Sequence, residues 1–500
     1  MITRRRMVRG GRAAGQLAVA ALVIGGVVWA AEQPEVTSRI DGIDIARETR
    51  SADTLESTTV ALERSAVLCP GPELLGLAGA RDVELPTTAT VVAAPLAELG
   101  DIPEPSGASG LGIAASGSGE DRGDGGDGGG VVTADLTTPV SYLATGSGAA
   151  APALVATQET RAGTEEVTGL ATVPCQIAAP EAWVVGGGGG PGRAERLVLS
   201  NPGSNAVTVD ITAYGTEGAS TPPAGQGVVV PAHGRTVLLG DALLADEASP
   251  VFAVRASGGD VTATLVETAI EGTRPVGFDV LAAVAPPAEE QVIPGVLEPE
   301  GEAGSVTVRI ANPGEAEAIA TISHLGEDGE LALPEGVARV PAESVVDVPV
   351  TELPAGATTL RVTADRPVVA AVRTVVDDGT ADAMWAVSQT AVTGVAGAAL
   401  PADEEVSRRL VVSASGGDAV VEVVEVAAGT ATGNEARVPA GGTVVLAASG
   451  DGIWIRQVSG SGSVTGAVVS VGTGEAAEVS AMPLTEPPVS GRRSEVVALP

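Results

Sequence analysis

Lysine is absent from this 500-residue chain, and histidine, cysteine and aromatic residues are scarce. Every basic side chain is an arginine, and the sequence holds two histidines, two cysteines and 2% aromatic residues. Without lysine there is no Schiff-base amine, no Ser-x-x-Lys acyl-transfer motif and no phosphate-loop lysine. Two histidines do not supply a histidine-based metal cluster. We therefore predict no catalytic residue, no cofactor and no metal site, and we expect the protein not to be an enzyme.

Positive charge is also in short supply. The chain has 28 basic and 63 acidic residues, a formal net charge of −35. Nucleic-acid binding depends on neutralising phosphates, so this balance argues against a nucleic-acid partner. The 67 glycines and 34 prolines indicate many turns, and the scarcity of rings indicates cores of small aliphatic residues.

A basic flank precedes an apolar stretch at the N-terminus. Five arginines lie in residues 1–12, and residues 13–31 carry no charge. This pattern predicts a cytoplasmic segment at 1–12, a single-pass transmembrane anchor at 13–31, a linker at 32–64 and an extracytoplasmic remainder at the plasma membrane. The alternative is a signal peptide cleaved near Val28-Trp29-Ala30, which would release a secreted protein.

Three segments share an order of apolar runs and turn residues. Two contain a strand that ends in Asn-Pro-Gly, at Asn201 and Asn312, and all three contain Val-Pro-Ala, at Val230, Val340 and Val438. Proline cannot continue a strand ladder, so both signatures are typical of turns between short strands. Seven short strands in each segment, with no helical period, predict immunoglobulin-like (Greek-key) β-sandwiches.

The sequence thus predicts an all-β chain of tandem β-sandwich repeats after the N-terminal helix. A divergent first repeat occupies 65–185 and contains a loop at 104–130 that is too poor in apolar residues to pack. The predicted later repeats and the C-terminal tail are 193–288, 304–397, 406–486 and 487–500.

The two cysteines fall in the predicted first repeat. Cys69 aligns with the end of its first strand and Cys175 with its last strand. These strands are close together in such a sandwich, and an exported chain favours oxidation, so we expect a disulfide that stabilises this repeat alone. Two buried thiols are the alternative.

The anchor, the Cys-Pro-Gly opening at Cys69 and the motif Leu-Val-Leu-Ser-Asn-Pro-Gly with a later Val-Pro-Ala together resemble a known family. It is a family of exported actinobacterial proteins called domain of unknown function 5719, and the resemblance covers about Ala66 to Leu484. The resemblance implies an envelope location and no assigned activity.

Few residues stand out as candidate sites. His233 occupies a slot filled by Glu343 and Gly441 in the other repeats, which is typical of an exposed turn, and His324 is predicted on a strand surface. Trp454 alternates with inward-facing neighbours and should face outward with Arg456, forming a contact surface between domains or, alternatively, for a glycan.

Calcium binding is a further alternative because carboxylates are abundant. They cluster around Asp121–Asp127 and in two linkers, at Glu298, Glu300, Glu302, Asp403, Glu404 and Glu405. The alternate-residue ligand pattern of calcium loops is missing, so a solvated acidic surface is the preferred interpretation.

These observations favour a non-enzymatic, membrane-anchored envelope protein that acts as a spacer or docking scaffold for envelope proteins or glycans. A glycan-binding module is the first alternative. A hydrolase that uses paired carboxylates is the second, because acidic residues are too numerous to exclude it.

Overall fold

The computed structural model describes residues 57–73, 85–117, 130–299, 304–377 and 379–494, and Thr59–Arg493 form one compact body. Almost all regular structure in these ranges is β-strand, apart from α1 (Gly240–Leu243) and 3-10 turns at Gly148–Ala150 and Pro223–Gly225. The all-β prediction is confirmed. None of the helices in the described ranges could cross a membrane. The predicted segments 1–12 and 13–31 and most of 32–64 lie outside these ranges.

The strands fall into four successive modules, with β1 (Ser57–Val60) before them. Module I contains β2 (Arg64–Cys69), β3 (Thr87–Val92), β4 (Gly110–Ala115), β5 (Val131–Asp135), β6 (Tyr142–Ser147), β7 (Val155–Gly163) and β8 (Thr168–Pro174). Module II contains β9 (Glu181–Val185), β10 (Arg193–Asn201), β11 (Val207–Gly215), β12 (Gly218–Ser220), β13 (Val228–Val230), β14 (Gly234–Leu239), β15 (Val251–Ser257), β16 (Thr262–Glu271) and β17 (Arg274–Leu281).

Modules III and IV complete the body. Module III contains β18 (Ala288–Glu298), β19 (Gly304–Asn312), β20 (Ala318–Gly326), β21 (Gly329–Val340), β22 (Ser344–Val350), β23 (Gly356–Asp377) and β24 (Ala381–Val387). Module IV contains β25 (Val395–Ala399), β26 (Val406–Ser415), β27 (Ala419–Ala427), β28 (Thr430–Val438), β29 (Gly442–Ala447), β30 (Gly452–Gly460), β31 (Ser463–Gly472) and β32 (Val479–Pro483), and β33 (Gly491–Ser494) follows.

One strand order recurs in all four modules. In module IV the two antiparallel sheets have the orders β25-β30-β27-β28 and β29-β26-β31-β32. Module II has the same order with its fourth strand split into β12 and β13, module III has its sixth and seventh strands joined in β23, and module I lacks the fourth strand. Leu410, Val421 and Ile453 come from both sheets of module IV and share one buried cluster. The alternation of apolar residues therefore buries one face of each sheet.

The predicted boundaries are wrong by one strand. β9 pairs with β15 and so opens module II, although it was predicted in the first repeat. β18, predicted largely as linker, pairs with β23, and β25, predicted in the third repeat, pairs with β30. Turns rich in Gly, Pro and Glu follow these opening strands, and such turns inside a module have the composition of a linker between modules.

The interpretation of the first repeat needs two corrections. The sequence aligns Val67–Cys69 with the strand that ends at Asn201, but Val67–Cys69 belongs to the opening strand β2, and the counterpart of β10 is β3. The segment 104–130 is not wholly a loop, because β4 pairs with β6 and buries Ile113 completely. Composition averaged over the whole segment concealed this short strand. Residues 118–129 lie outside the described ranges.

The two turn signatures are joined by a buried asparagine. The side-chain amide of Asn312 donates to the carbonyls of Ala316, Val340 and Pro341, and its oxygen accepts from the Gly314 N–H group. Asn201 makes the same four bonds in module II, to Asn205, Val230, Pro231 and Gly203. Asn-Pro-Gly and Val-Pro-Ala are thus two halves of one hydrogen-bonded corner.

The predicted disulfide is confirmed. Cys69 ends β2, Cys175 follows β8, and the bond joins their sulfurs with Cα atoms 4.2 Å apart. The adjacent residues Leu68 and Gln176 form a two-bond backbone bridge. The disulfide therefore closes module I between its first and last strands. Module I also shares buried clusters with modules II and IV, in which Val173 packs with Phe278 and Val155 with Trp454.

We expect Cys69→Ser and Cys175→Ser each to lower the free energy of unfolding by about 2–5 kcal/mol, the range for native disulfides. The sequence predicts an effect on the first repeat alone, but the modules share buried clusters, so the loss should instead shift one common transition in calorimetry. The double variant Cys69→Ser/Cys175→Ser is the control, and its melting should match that of the single variants. An early transition confined to module I, with the remainder unchanged, would contradict this expectation.

Candidate functional site

Trp454 and Arg456, the predicted contact surface, lie between modules I and IV. Trp454 faces away from its neighbours Ile453 and Ile455, as predicted, but it is fully buried. Its Nε1 donates to the Ala153 carbonyl at 3.0 Å. Arg456 pairs with Glu422 and lies beside Gly100, where an added Cβ would be 3.1 Å from the guanidinium. The predicted contact surface is therefore occupied by a contact between modules I and IV of this chain.

The histidines offer no site. His233 is exposed and, like Glu343 and Gly441, has a positive φ, so the shared turn is as predicted. His324 is not on the surface as predicted but is buried, with Nε2 2.7 Å from Thr358 Oγ1. Burial lowers the pKa of His324. Thr358 belongs to the neighbouring strand β23, so this contact joins residues 34 positions apart and is not revealed by local sequence.

Two of the three candidate calcium ligands in the second linker, Asp403 and Glu405, form ion pairs with an arginine. Arg161 of β7 bonds Asp403 at 3.2 Å, Glu405 at 2.8 Å and both oxygens of Glu478, the residue before β32. Among the described residues, no three His, Cys, Asp or Glu side chains come together as a metal site. The segment around Asp121–Asp127, and Glu300 and Glu302, lie outside the described residues.

The last strand of each module, which we call its closing strand, meets the closing strands of at least two other modules. β8 contacts β17, β17 contacts β24, β24 contacts β32, and β32 contacts β8. Thr172 and Ser480 join β8 to β32 by a backbone N–H bond and a hydroxyl contact, both at 2.8 Å. The four modules are therefore arranged around their closing strands in a closed cycle.

Asp382, in closing strand β24, lies at the centre of this junction and is completely buried. Its Oδ1 accepts from the N–H groups of Ala383 at 2.8 Å and Phe278 at 3.4 Å, and its Oδ2 accepts from Leu170 at 3.1 Å and Val479 at 2.8 Å. These donors belong to modules III, II, I and IV. One carboxylate therefore holds backbone from every module.

The surroundings of Asp382 fit an ionised carboxylate. Burial raises its pKa well above the usual value, and the bonds from Val479, Leu170 and Ala383 oppose that rise. A protonated carboxyl group would need an acceptor, whereas its four hydrogen-bonding neighbours are all donors. Gly169 permits the approach of β8, because a Cβ there would lie 2.4 Å from Oδ1.

We expect Asp382→Asn to lower the free energy of unfolding by roughly 2–6 kcal/mol, since two buried N–H groups would lose an acceptor at about 1–3 kcal/mol each. Urea denaturation followed by circular dichroism measures the change. Asp328→Asn, at an exposed turn, is the matched control and should leave the midpoint unchanged. Equal midpoints for both variants would show that Asp382 does not hold the junction.

A second group of buried acids lies between modules II and III. Glu195 and Glu267 are directly opposite each other on β10 and β16. The glycine run covers them: the Gly188 N–H group donates to Glu195, and the Gly187 N–H group donates to Glu267 at 3.1 Å. Glu267 also accepts from Trp385 Nε1 at 2.8 Å. The run after Trp183 therefore packs against this interface.

Arginines neutralise part of this interface. Arg193 and Arg373 lie 3.2 and 3.6 Å from Glu267 Oε1. Arg309 forms a two-pronged pair with Asp347 at 2.8 and 2.9 Å and donates to the Gly187 carbonyl at 2.8 Å. Glu195 itself has no arginine partner among its described contacts. Burial raises the pKa of Glu195 to about 7, opposed by the Gly188 bond and assisted by Glu267.

Glu195 makes stability depend on pH. Its pKa is about 7 in the folded chain and near 4.5 as a free side chain, so its contribution is present below pH 4.5 and is lost as the pH rises through 7. We expect Glu195→Gln to be more stable than the wild type at pH 8 by about 3 kcal/mol, from the usual conversion of pKa shifts.

The two proteins should converge below pH 4.5, where Glu195 is protonated in both states. Urea titrations at several pH values measure this. Glu217→Gln, at an exposed position, is the control and should follow the wild-type profile. A constant difference between Glu195→Gln and wild type across the pH range would refute the assignment.

A cavity of about 320 Å³ lies where the carboxyl ends of the four closing strands converge. It is lined mainly by the residues that follow these strands, at 174–177, 282–286, 388–390 and 483–487. We call it the axial cavity. Backbone bridges hold one residue of each lining segment to the opening strand of its module, and these equivalent residues are Gln176, Val284, Gln389 and Thr485.

Three residues beside this mainly apolar cavity carry buried polar atoms without a protein partner among the described residues. The side-chain nitrogens of Gln176 and Gln389 and the hydroxyl of Ser388 are buried and make no hydrogen bond with the described residues. Such groups are rare in folded proteins and costly unless a ligand or water pairs with them. The axial cavity is therefore the candidate functional site.

Sequence reasoning missed both the junction and the cavity. A signal for the junction was present, because Asp279 and Asp382 are single acids inside the apolar strands β17 and β24. Both are buried, and Asp279 accepts from the Trp385 N–H group at 2.7 Å. The cavity could be predicted from the sequence only by aligning the closing strands of the modules, because that alignment places Gln176 and Gln389 at equivalent positions.

These features define an all-β protein of four similar modules joined at a buried junction. The chain belongs to the family described as "Family of unknown function (DUF5719)", whose match covers residues 131–449. The match is narrower at both ends than the predicted resemblance. No curated protein matches the chain. One similar solved structure is "Crystal Structure of Thermotoga maritima 1070", with 16% identity, 20% of this chain, 93% of that chain and a TM-score of 0.19.

Proposed function

We propose that this protein is a non-enzymatic docking scaffold, anchored in the plasma membrane by residues 13–31, with its modules outside the cell. The junction at Asp382 is the observation that carries the proposal. Backbone N–H groups from four modules converge on one buried carboxylate, so the modules cannot hinge separately. A rigid body of this kind suits docking better than it suits a flexible spacer.

We interpret each module as an immunoglobulin-like Greek-key sandwich. The interpretation is supported by the common order of strands in two sheets around one apolar cluster. Such sandwiches support many unrelated functions, so the fold alone selects none of them.

The glycan-binding alternative has less support. Sugar sites usually present exposed rings, but the candidate aromatic side chains are all buried: Trp183, Trp385, Trp454, Tyr142, Tyr214, Phe252 and Phe278. The hydrolase alternative is similarly weakened. Asp279 and Asp382, whose pKa values burial raises well above the usual range, are bonded to backbone N–H groups and buried where a substrate cannot reach them.

Photocrosslinking in intact cells tests the scaffold proposal. A benzophenone amino acid would replace Ile177, Val229 or Leu331, three exposed apolar residues on different modules, in the full-length chain. We expect a discrete partner at one or more of these positions, in the membrane fraction. Asp328, an exposed polar turn residue, is the control position and should give no product.

Two results would overturn the proposal. One is turnover of a cell-wall substrate that is lost on replacement of a single Asp or Glu. The other is tight binding to a glycan array without any crosslinked protein. Recovery of the protein only from culture supernatant, beginning after residue 30, would favour the secreted form over the anchored form.

A further inference from the structure

Module I lacks a strand that the other three modules have. In modules II–IV the third strand is followed, after a two-residue turn, by a fourth strand that pairs with its outer edge: β12 and β13 on β11, β21 on β20, and β28 on β27. The third strand of module I is β4, and within the described ranges it pairs with β6 alone. The outer backbone edge of β4 at residues 110–114 is therefore available for pairing.

The sequence that follows β4 has the wrong composition for the missing strand. Residues 116–130 consist only of Gly, Ser, Asp, Glu and Arg, and most of them are Gly. Gly and Asp are depleted in strands, and this segment has no apolar side chain to place in a core. A strand that fits the edge of β4 therefore has to come from elsewhere.

The other modules show which side chains a fourth strand buries. The three fourth strands end in Val228-Val229-Val230, Ala338-Arg339-Val340 and Ala436-Arg437-Val438. In each triplet the outer two residues face the core and the middle residue is exposed. The last valine lies opposite the first core-facing residue of the third strand, and these partners are Val207, Ala318 and Ala419. None of the three partners is more than 1% exposed.

Leu111 is the counterpart of these covered residues in module I. It is the first core-facing residue of β4 and packs against the same apolar cluster as Ile113, but it is only half-buried. Ser109 and Gly110, which precede it, are exposed. This end of β4 is therefore accessible to another polypeptide, and the added strand would cover Leu111.

We propose that the edge of β4 accepts an extended segment of a partner polypeptide, which pairs with it as the fourth strand of module I. The segment carries Ala or Val at two alternate positions, opposite Leu111 and Ile113, with a polar residue between them. Strand addition to a sheet edge is a recurrent mode of peptide binding, in which main-chain bonds give affinity and alternate side chains give specificity. This inference rests on the docking function proposed above, since it identifies where the scaffold docks its partner.

The test uses the full-length protein in detergent and a fluorescently labelled peptide with the sequence of residues 430–440, which contains the fourth strand of module IV. We expect saturable binding by fluorescence anisotropy. Two further peptides carry N-methyl groups on alternate amides, at 436 and 438 in one and at 435 and 437 in the other. Alternate N–H groups of a strand point to opposite edges, so only one of these peptides loses its bonds to β4.

That peptide should bind at least about tenfold more weakly than the unmodified one, the factor that corresponds to loss of one hydrogen bond. The other N-methylated peptide should bind like the unmodified one. Adhesion of the peptide to an apolar surface would not distinguish the two, because their side chains are identical.

A chimera supplies the missing strand within the chain. Residues 428–441, which form the turn, the fourth strand and the Pro-Ala-Gly of module IV, replace residues 116–130. This filled chimera should bind the peptide at least about tenfold more weakly than wild type and should melt at a higher temperature. The matched control carries the same insert with Ala436→Asp and Val438→Asp in the insert only. Its charged side chains cannot enter the core, so it should bind the peptide like wild type.

The proposal is overturned if the peptide does not bind saturably, if the two N-methylated peptides bind equally, or if the filled chimera is folded and binds like wild type. If the chimera does not fold, the N-methylated peptides decide alone. A wild-type dimer in analytical ultracentrifugation that the filled chimera abolishes would also overturn the proposal, because it would assign the edge to a second copy of this chain.

These outcomes are separable from failure of the scaffold proposal. A partner that crosslinks in intact cells equally well to wild type and to the filled chimera would retain the scaffold and reject β4 as its docking edge. Saturable peptide binding that one pattern of N-methylation weakens, without any crosslinked partner, would do the reverse.

Discussion

The structure depends on the need of one buried carboxylate for hydrogen-bond donors. Asp382 has lost its water, and an ionised side chain in that position is tolerated only when its lone pairs are filled. The closing strands of all four modules supply the N–H groups. Each module must therefore lie at hydrogen-bond distance from the same two oxygens. This requirement fixes the separation of the modules, and Gly169 shows how close the approach is.

Arginine performs the corresponding task at the interfaces between modules. Arg161 joins β7 to Glu478 of module IV, Arg235 of module II donates to the carbonyls of Pro70 and Pro72, and Arg309 of module III donates to those of Gly187 and Ala248. A planar guanidinium can serve several acceptors at once, which an ammonium group does less well. In this strongly acidic chain, whose basic residues are all arginines, arginine side chains thus join neighbouring modules.

Local features of the fold were predictable from the sequence, whereas the contacts between modules were not. The Asn-Pro-Gly and Val-Pro-Ala turns are set by proline and glycine within a few residues. The disulfide follows from two cysteines placed at the first and last strands of one predicted repeat. The opening strand β18 was missed because its proline and acids have the composition of a linker, yet it pairs with distant β23. Trp454 was placed on the correct face, but nothing local indicated that module I covers it. The junction and cavity likewise arise from contacts between modules.

The closing strands connect the buried junction at Asp382 to the axial cavity. Backbone N–H groups of all four strands meet at Asp382, while the residues at and after their carboxyl ends line the axial cavity. At each end a backbone bridge to the opening strand holds the chain in place, whatever the side chain. The equivalent residues Gln176, Val284, Gln389 and Thr485 differ accordingly without altering the strand order. Since backbone bonds carry the fold at these positions, their side chains can differ from module to module at little cost to stability.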